Sequence, residues 1–193
     1  MKKILLTVLA SALLFSTQLK AQPFVTDDNV LSVGIGPAPV YYGLAGYTSK
    51  LPALVVHFEK GFFDKLGIGY LGIGGYLGFT SAKYESTYFG GGVYSYSESN
   101  TIIAARGAYH FDFLDLSGED IFEKLDVYAG ILTGFRIHRE DWNNDIFEDE
   151  DNFVGGVFDT FAGARYYFTP EIAVYTELGY GISYLTLGAS FKF

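Results

Sequence analysis

The chain has 193 residues, with 13 Lys+Arg against 22 Asp+Glu, a formal charge of −9, and no cysteine. That length fits one domain, and the missing cysteine excludes a disulfide framework, a Cys-ligated metal site, a thiol nucleophile and a lipid-modified N-terminal cysteine. The acidic balance argues against a nucleic-acid partner, which needs a basic footprint.

Residues 1–21, MKKILLTVLASALLFSTQLKA, read as a secretory signal peptide. Lys2 and Lys3 form a positive start, Ile4 to Phe15 is a mostly apolar run, and the small Ala21 precedes Gln22 at the expected cleavage point. The run is too short to cross ~30 Å of hydrocarbon as a helix, which takes ~20 apolar residues. Cleavage removes three lysines and no acid, moving the formal charge from −9 to −12. The mature domain is then 22–193, and no later stretch is an apolar run of transmembrane-helix length.

Beyond residue 28, period-two alternation replaces helical periodicity. Eight segments are expected as strands, roughly 29–37, 51–60, 66–81, 99–111, 125–138, 153–168, 171–180 and 182–193, separated by Gly, Asn, Asp and Ser clusters. In 51–60, Leu54, Val56 and Phe58 oppose His57 and Glu59. The segment 66–81 is too glycine-rich for a face to be assigned. In 99–111, Ile103, Ala105, Tyr109 and Phe111 oppose Arg106 and His110. In 125–138, Val127, Ala129, Ile131, Phe135 and Ile137 oppose Asp126 and Arg136. In 153–168, Phe158, Ala162, Ala164, Tyr166 and Phe168 oppose Asp159 and Arg165. Next, Ile172, Val174 and Leu178 oppose Glu177; finally Leu185, Leu187, Ala189, Phe191 and Phe193 oppose Thr186, Ser190 and Lys192.

Six segments thus carry one charge-free parity. A soluble sandwich or lipocalin-like barrel would turn that parity inward, whereas a membrane barrel turns it toward lipid. Three features favour lipid. The other parity includes Ala104, Gly130, Leu132, Gly134, Phe161 and Gly163, poor in charge for a soluble surface. Apolar alternation also runs on to Phe193. Aromatics gather where strands meet connections (Tyr41, Tyr42, Tyr47, Tyr109, Phe111, Tyr166, Tyr167, Phe168), as interfacial girdles require. A sheet in lipid must satisfy its own backbone and therefore close. The expected fold is all-β: an eight-stranded antiparallel transmembrane up-and-down barrel. Its inner turns fall near 61–65, 112–124 and 168–171, and its outer loops near 38–50, 82–98 and 139–152, with a short turn at 179–182. The long inner connection FDFLDLSGEDIFEKLD has room for a short amphipathic piece at the interface.

The terminal ELGYGISYLTLGASFKF resembles the last strand of bacterial outer-membrane barrels, which ends in a Phe read by the barrel-assembly machinery. With the signal and the eight segments, the mature chain resembles the small OmpA/OmpX-type, porin-family barrels of Gram-negative bacteria. The resemblance implies outer-membrane localisation, contact with outer-membrane lipid, and a C-terminal assembly signal on Leu185, Leu187, Ala189, Phe191 and Phe193. No peptidoglycan-binding domain is expected after Phe193. Such a family shares a wall and not a catalytic motif.

Interior charges are the main candidate site: Glu59, Arg106, Arg136, Asp159, Arg165, Glu177 and Lys192, with Arg136 and Asp159 toward the outer rim and Lys192 near the inner one. The interior of an eight-stranded barrel is just wide enough for side chains to fill it. Mixed signs there suit a charge-paired plug, and the alternative is a narrow pore for small solutes or ions. The loop HREDWNNDIFEDEDN holds seven acids, Glu140, Asp141, Asp145, Glu148, Asp149, Glu150 and Asp151. It reads as a solvated loop before a Ca²⁺ site, since it lacks the EF-hand spacing. Trp142, Ile146 and Phe147 suit a partner contact or the loop's own packing. The loop KYESTYFGGGVYSYSESN, with Tyr and Ser around Gly90 to Gly92, reads as an extended hairpin before a ligand loop. Of three histidines (His57, His110, His138), only His138 lies at outer-rim height, beside Arg139, Glu140 and Asp141, and no nucleophile motif accompanies it. No enzymatic activity, cofactor or metal is expected. The role that fits is structural or surface-interacting, with an extracellular ligand left open.

Overall fold

The computed structural model describes residues 23–42, 47–87, 93–143 and 152–193. The expected signal peptide, the glycine tip around Gly91 and most acids of 139–152 lie outside the described residues. Eight strands follow one another: β1 (Asn29–Gly36), β2 (Ser49–Gly61), β3 (Gly69–Thr87), β4 (Val93–Phe111), β5 (Leu125–Asn143), β6 (Phe153–Tyr167), β7 (Ile172–Gly179) and β8 (Leu185–Lys192). Each pairs antiparallel with the next, and β1 pairs with β8 from Val30↔Lys192 to Ile35↔Leu187, so the sheet closes into a barrel. Among the described residues no helix is long and apolar enough to cross a membrane.

The charge-free parity faces out. Val33, Ile35, Leu54, Ile103, Ile131, Phe135, Phe158, Val174, Leu178, Leu187 and Phe191 are all exposed, while their neighbours Ser32, His57, Glu59, Arg106, Leu132, Asp159, Arg165 and Glu177 are buried. A soluble β-domain would show the reverse; an apolar exterior around a charged interior suits lipid. β3 takes its face from its neighbours, with Ile73, Leu77 and Phe79 outward and Tyr76 and Thr80 inward. Its inward glycines leave room for side chains from elsewhere. A Cβ on Gly72 would lie 3.1 Å from the Phe24 ring.

β3, β4 and β5 each run 19 residues, against the ~9–11 that cross a bilayer. The β3–β4 ladder continues to Thr87↔Val93, so the Tyr/Ser stretch extends the hairpin beyond the membrane. β1, β7 and β8 have 8 residues each, leaving a mouth with one high wall and one low rim. In β2 the register shifts between Leu51 and Leu54, at Pro52, which has no N–H for the ladder.

The long inner connection holds a five-residue helix, α1 (Phe113–Ser117), and a 3-10 turn, Asp120–Glu123. Asp112 caps α1 by accepting from the Asp115 N–H at 3.1 Å, and Gly118 ends it with φ 67°. Lys65, from the β2–β3 turn, donates to Asp112 and Asp115 at 2.8 and 2.6 Å, and these bonds hold its ammonium above the usual lysine range. Aromatic rings step along this edge: Tyr109 meets Phe111, Phe111 stacks with Phe113, and Phe113 meets Phe122. Exposed Tyr166 and Phe168 continue the girdle. Two residues expected in the girdles lie inside instead: Tyr42 is 7 % and Tyr167 0 % exposed. Tyr167 has the inward parity of β6, and the β1–β2 connection folds Tyr42 into the outer mouth.

Candidate functional site

The barrel interior is filled in layers. At its centre Arg106, on β4, donates from Nε to Glu59 of β2 at 2.8 Å and from both Nη atoms to Glu177 of β7 at 3.1 and 2.7 Å. Arg165, on β6, donates to the other Glu59 oxygen and, at 3.2 Å, to Asp126 of β5. Asp126 is 2.8 Å from Nδ1 of His110. Glu177, Arg106, Glu59, Arg165, Asp126 and His110 therefore form one chain of contacts spanning five strands. The guanidinium of Arg106 lies 3.9 Å from the Phe161 ring centre, and that of Arg165 4.4 Å from the Tyr128 ring centre. The Tyr128 hydroxyl donates to Glu177 at 3.3 Å. These faces replace water on the flat sides of the cations. A Cβ on Gly163 would come 2.5 Å from the Tyr128 ring, so the glycine makes room for that stack.

On the inner side Phe24 enters the barrel and stacks on His110, centroids 3.9 Å apart and planes at 16°. The turn before β1 fixes it: Asp28 accepts from the Val25 N–H at 2.9 Å, and the Asp27 N–H donates to the Gly61 carbonyl at 3.1 Å. On the outer side an apolar cluster of Ala53, Val55, Tyr76, Ile102, Leu132 and Ile182 fills the lumen. Ile182 belongs to the β7–β8 turn, which bonds with the β1–β2 connection through Val40 to Ile182 and Tyr184 to Ala38. Tyr42 seals the same mouth, donating toward the carbonyls of Thr80 and Glu98 at 3.0 and 3.2 Å. Burial pushes its phenol up to about 12, so it remains a donor at neutral pH. Within the barrel the His57 ring nitrogens meet no hydrogen-bond partner among the described residues, and the ring meets that of Tyr175 edge-on, centroids 5.2 Å apart.

Of the seven interior charges expected from parity, the structure joins four in this chain: Glu59, Arg106, Arg165 and Glu177. The other three lie elsewhere. Arg136 sits over the rings of Tyr41 and Phe153, at 4.4 and 4.9 Å. Asp159 caps the β7–β8 turn, accepting from the Tyr180 N–H at 2.6 Å. Lys192 pairs with Asp28 at 3.2 Å on the inner rim, over the Tyr167 ring. Parity gives which way a side chain points, but height along the axis decides its partner. Asp126 and His110 complete the chain; their inward parity was the available signal. Phe24 precedes the first strand, so no alternation announces it.

The residues expected to carry an assembly signal lie on the outward column of β8 and the Phe193 that follows it, with Leu187, Phe191 and Phe193 exposed at 45, 50 and 64 %. His138 points into the outer mouth, its ring nitrogens 3.1 Å from Asn100 Oδ1 and 2.9 Å from Glu140 Oε1.

No protein-family model matches the chain, and no curated protein matches it by sequence. Solved structures do. Ail, the attachment invasion locus protein of Yersinia pestis, solved with the heparin analogue sucrose octasulfate, matches with a TM-score of 0.53 and 12 % identity over 87 % of this chain and 99 % of Ail. The outer membrane protein OprG from Pseudomonas aeruginosa matches with a TM-score of 0.55 and 11 % identity over 89 % of this chain and 98 % of OprG. The chain has the fold of the eight-stranded outer-membrane barrels. That fold, with the chain's own apolar belt, is the architecture that the resemblance to the small OmpA/OmpX-type barrels implied. At such identities the likeness extends to the fold alone.

Proposed function

We propose that the protein is a closed wall element of the outer membrane, with a structural and surface-interaction role rather than a transport role. One observation carries this: the buried chain from Glu177 to His110 crosses the lumen, with Phe24 stacked on its inner side and the Ile182 apolar cluster on its outer side. A channel needs a wet path lined by groups that bind solutes weakly enough to release them. Here the guanidinium donors are mostly engaged by fixed carboxylates, and the pairs are shielded by rings. Residues 1–21 direct export and are then removed, and Leu185, Leu187, Ala189, Phe191 and Phe193 present the outward column to the assembly machinery. The extended β3–β4 hairpin and the acidic third loop form the extracellular contact surface. Ail was solved with a sulfated sugar analogue; the acids of residues 139–152 repel such a polyanion, so a neutral or cationic ligand suits this mouth.

The test is conductance of the purified barrel in planar bilayers. No stable single-channel steps are expected from the intact chain. Steady conductance that changes with Arg106→Ala would replace this reading with the narrow channel.

A further inference from the structure

We propose that Glu98, His138 and Glu140 form a site for one divalent transition ion of the zinc class at the extracellular mouth. The register carries the first part of the argument. β4 and β5 pair Glu98 with Glu140 and Asn100 with His138, all on the inward parity, so the sheet sets two carboxylates opposite each other with an imidazole beside them. Like charges directly across a ladder repel, and a cation held between them would relieve that repulsion. The candidate ligand atoms all lie within 4.8 Å of one another.

The histidine tautomer carries the second part. Asn100 donates from Nδ2 to the Tyr42 hydroxyl at 3.3 Å, which turns its Oδ1 toward His138 Nδ1 at 3.1 Å. Nδ1 must then carry a proton, and Nε2 faces Glu140 Oε1 at 2.9 Å. A neutral imidazole would point its Nε2 lone pair at a carboxylate. Either a proton or a metal ion resolves that contact, and a histidine with Nδ1–H held by an amide oxygen is oriented as a metal ligand.

Charge decides between the two. Glu98 is buried at 8 % exposure, and its oxygens accept from the Tyr47 and Tyr96 hydroxyls, the latter at 3.1 Å. The ion-pair partner of Glu140 is His138, at 2.9 Å. With a protonated histidine the trio keeps a net charge of −1; with a neutral histidine and a dication it is neutral. A buried carboxylate without compensation is costly, so the dication is the better partner. One imidazole among two carboxylates favours a zinc-class ion over Ca²⁺ or Mg²⁺, which prefer all-oxygen shells. Three protein ligands leave a coordination position facing the adjoining recess of about 700 Å³, bordered by Ser97, Ser99, Asp141 and Phe153.

The experiment uses untagged, chelator-stripped protein in detergent, titrated with ZnCl₂ alone by calorimetry and with CoCl₂ by visible absorption. One Zn²⁺ per chain is expected, with Co²⁺ giving the ligand-field bands of a histidine–carboxylate site. His138→Gln and Glu98→Gln should each weaken Zn²⁺ at least about 100-fold, and Asn100→Ala by roughly 10–100-fold as a residue orienting the ligand. Unchanged heat-shifted gel mobility shows that a variant is folded; Glu140→Gln, at a more exposed position, serves if another variant is not. Wild-type protein that takes up no Zn²⁺ below millimolar concentration overturns the proposal. So does stoichiometric binding that survives His138→Gln but is lost when acids 145–151 are neutralised, which would move the site into the loop.

Discussion

Replacing Arg106 with leucine tests whether the lumen is a dry plug. Arg106 is 1 % exposed and makes three hydrogen bonds to two carboxylates. Arg106→Leu strands Glu177, whose remaining contact is the Tyr128 hydroxyl at 3.3 Å, whereas Glu59 keeps Arg165. Charge-assisted hydrogen bonds contribute about 1.5–3 kcal/mol each; three of them taken as additive exceed the about 3–5 kcal/mol that breaking a buried pair from one side costs, and the latter is the better bound for so coupled a group. The barrel should therefore lose about 3–5 kcal/mol in equilibrium urea unfolding in lipid vesicles, followed by circular dichroism and heat-shifted gel mobility. Adding Glu177→Gln removes the stranded charge and should restore more than half of the loss, a strongly non-additive pair. The reasoning fails if Arg106→Leu costs under about 1 kcal/mol, or if the two losses add, because either result means that lumen water solvates the carboxylates.

Ile131 is half exposed at the middle of β5 beside buried Leu132, so Ile131→Arg should cost about 2–4 kcal/mol in the same assay, and a neutral result would remove the residue from the lipid face. Phe24→Ala should destabilise by about 3–5 kcal/mol through loss of the stack on His110, without creating conductance, because the Arg106 layer still closes the barrel. Asp112→Asn with Asp115→Asn removes both Lys65 partners but should leave the unfolding midpoint unmoved, since exposed ion pairs add little to stability; a clear drop would show that α1 braces the inner rim.

The chain alone determined which residues face lipid and which face the lumen. In strands such as β5 and β8 that choice is one of parity, and a single charge on the wrong parity is expensive enough to leave a readable pattern. It could not speak for β3, because glycine carries no polarity; there Phe24 and Ile182 occupy the space that side chains would otherwise fill. Nor could parity pair the charges. Arg136 and Arg165 both sit on inward positions, yet one rests over Tyr41 and Phe153 while the other bridges Glu59 and Asp126. Only closure of the sheet, with its strand stagger, sets the height at which each side chain meets another across the lumen. The same holds for Glu98 and Glu140, 42 positions apart in sequence and directly opposed in the ladder. Local alternation is a property of each strand, whereas partnership across a barrel belongs to the register of all eight.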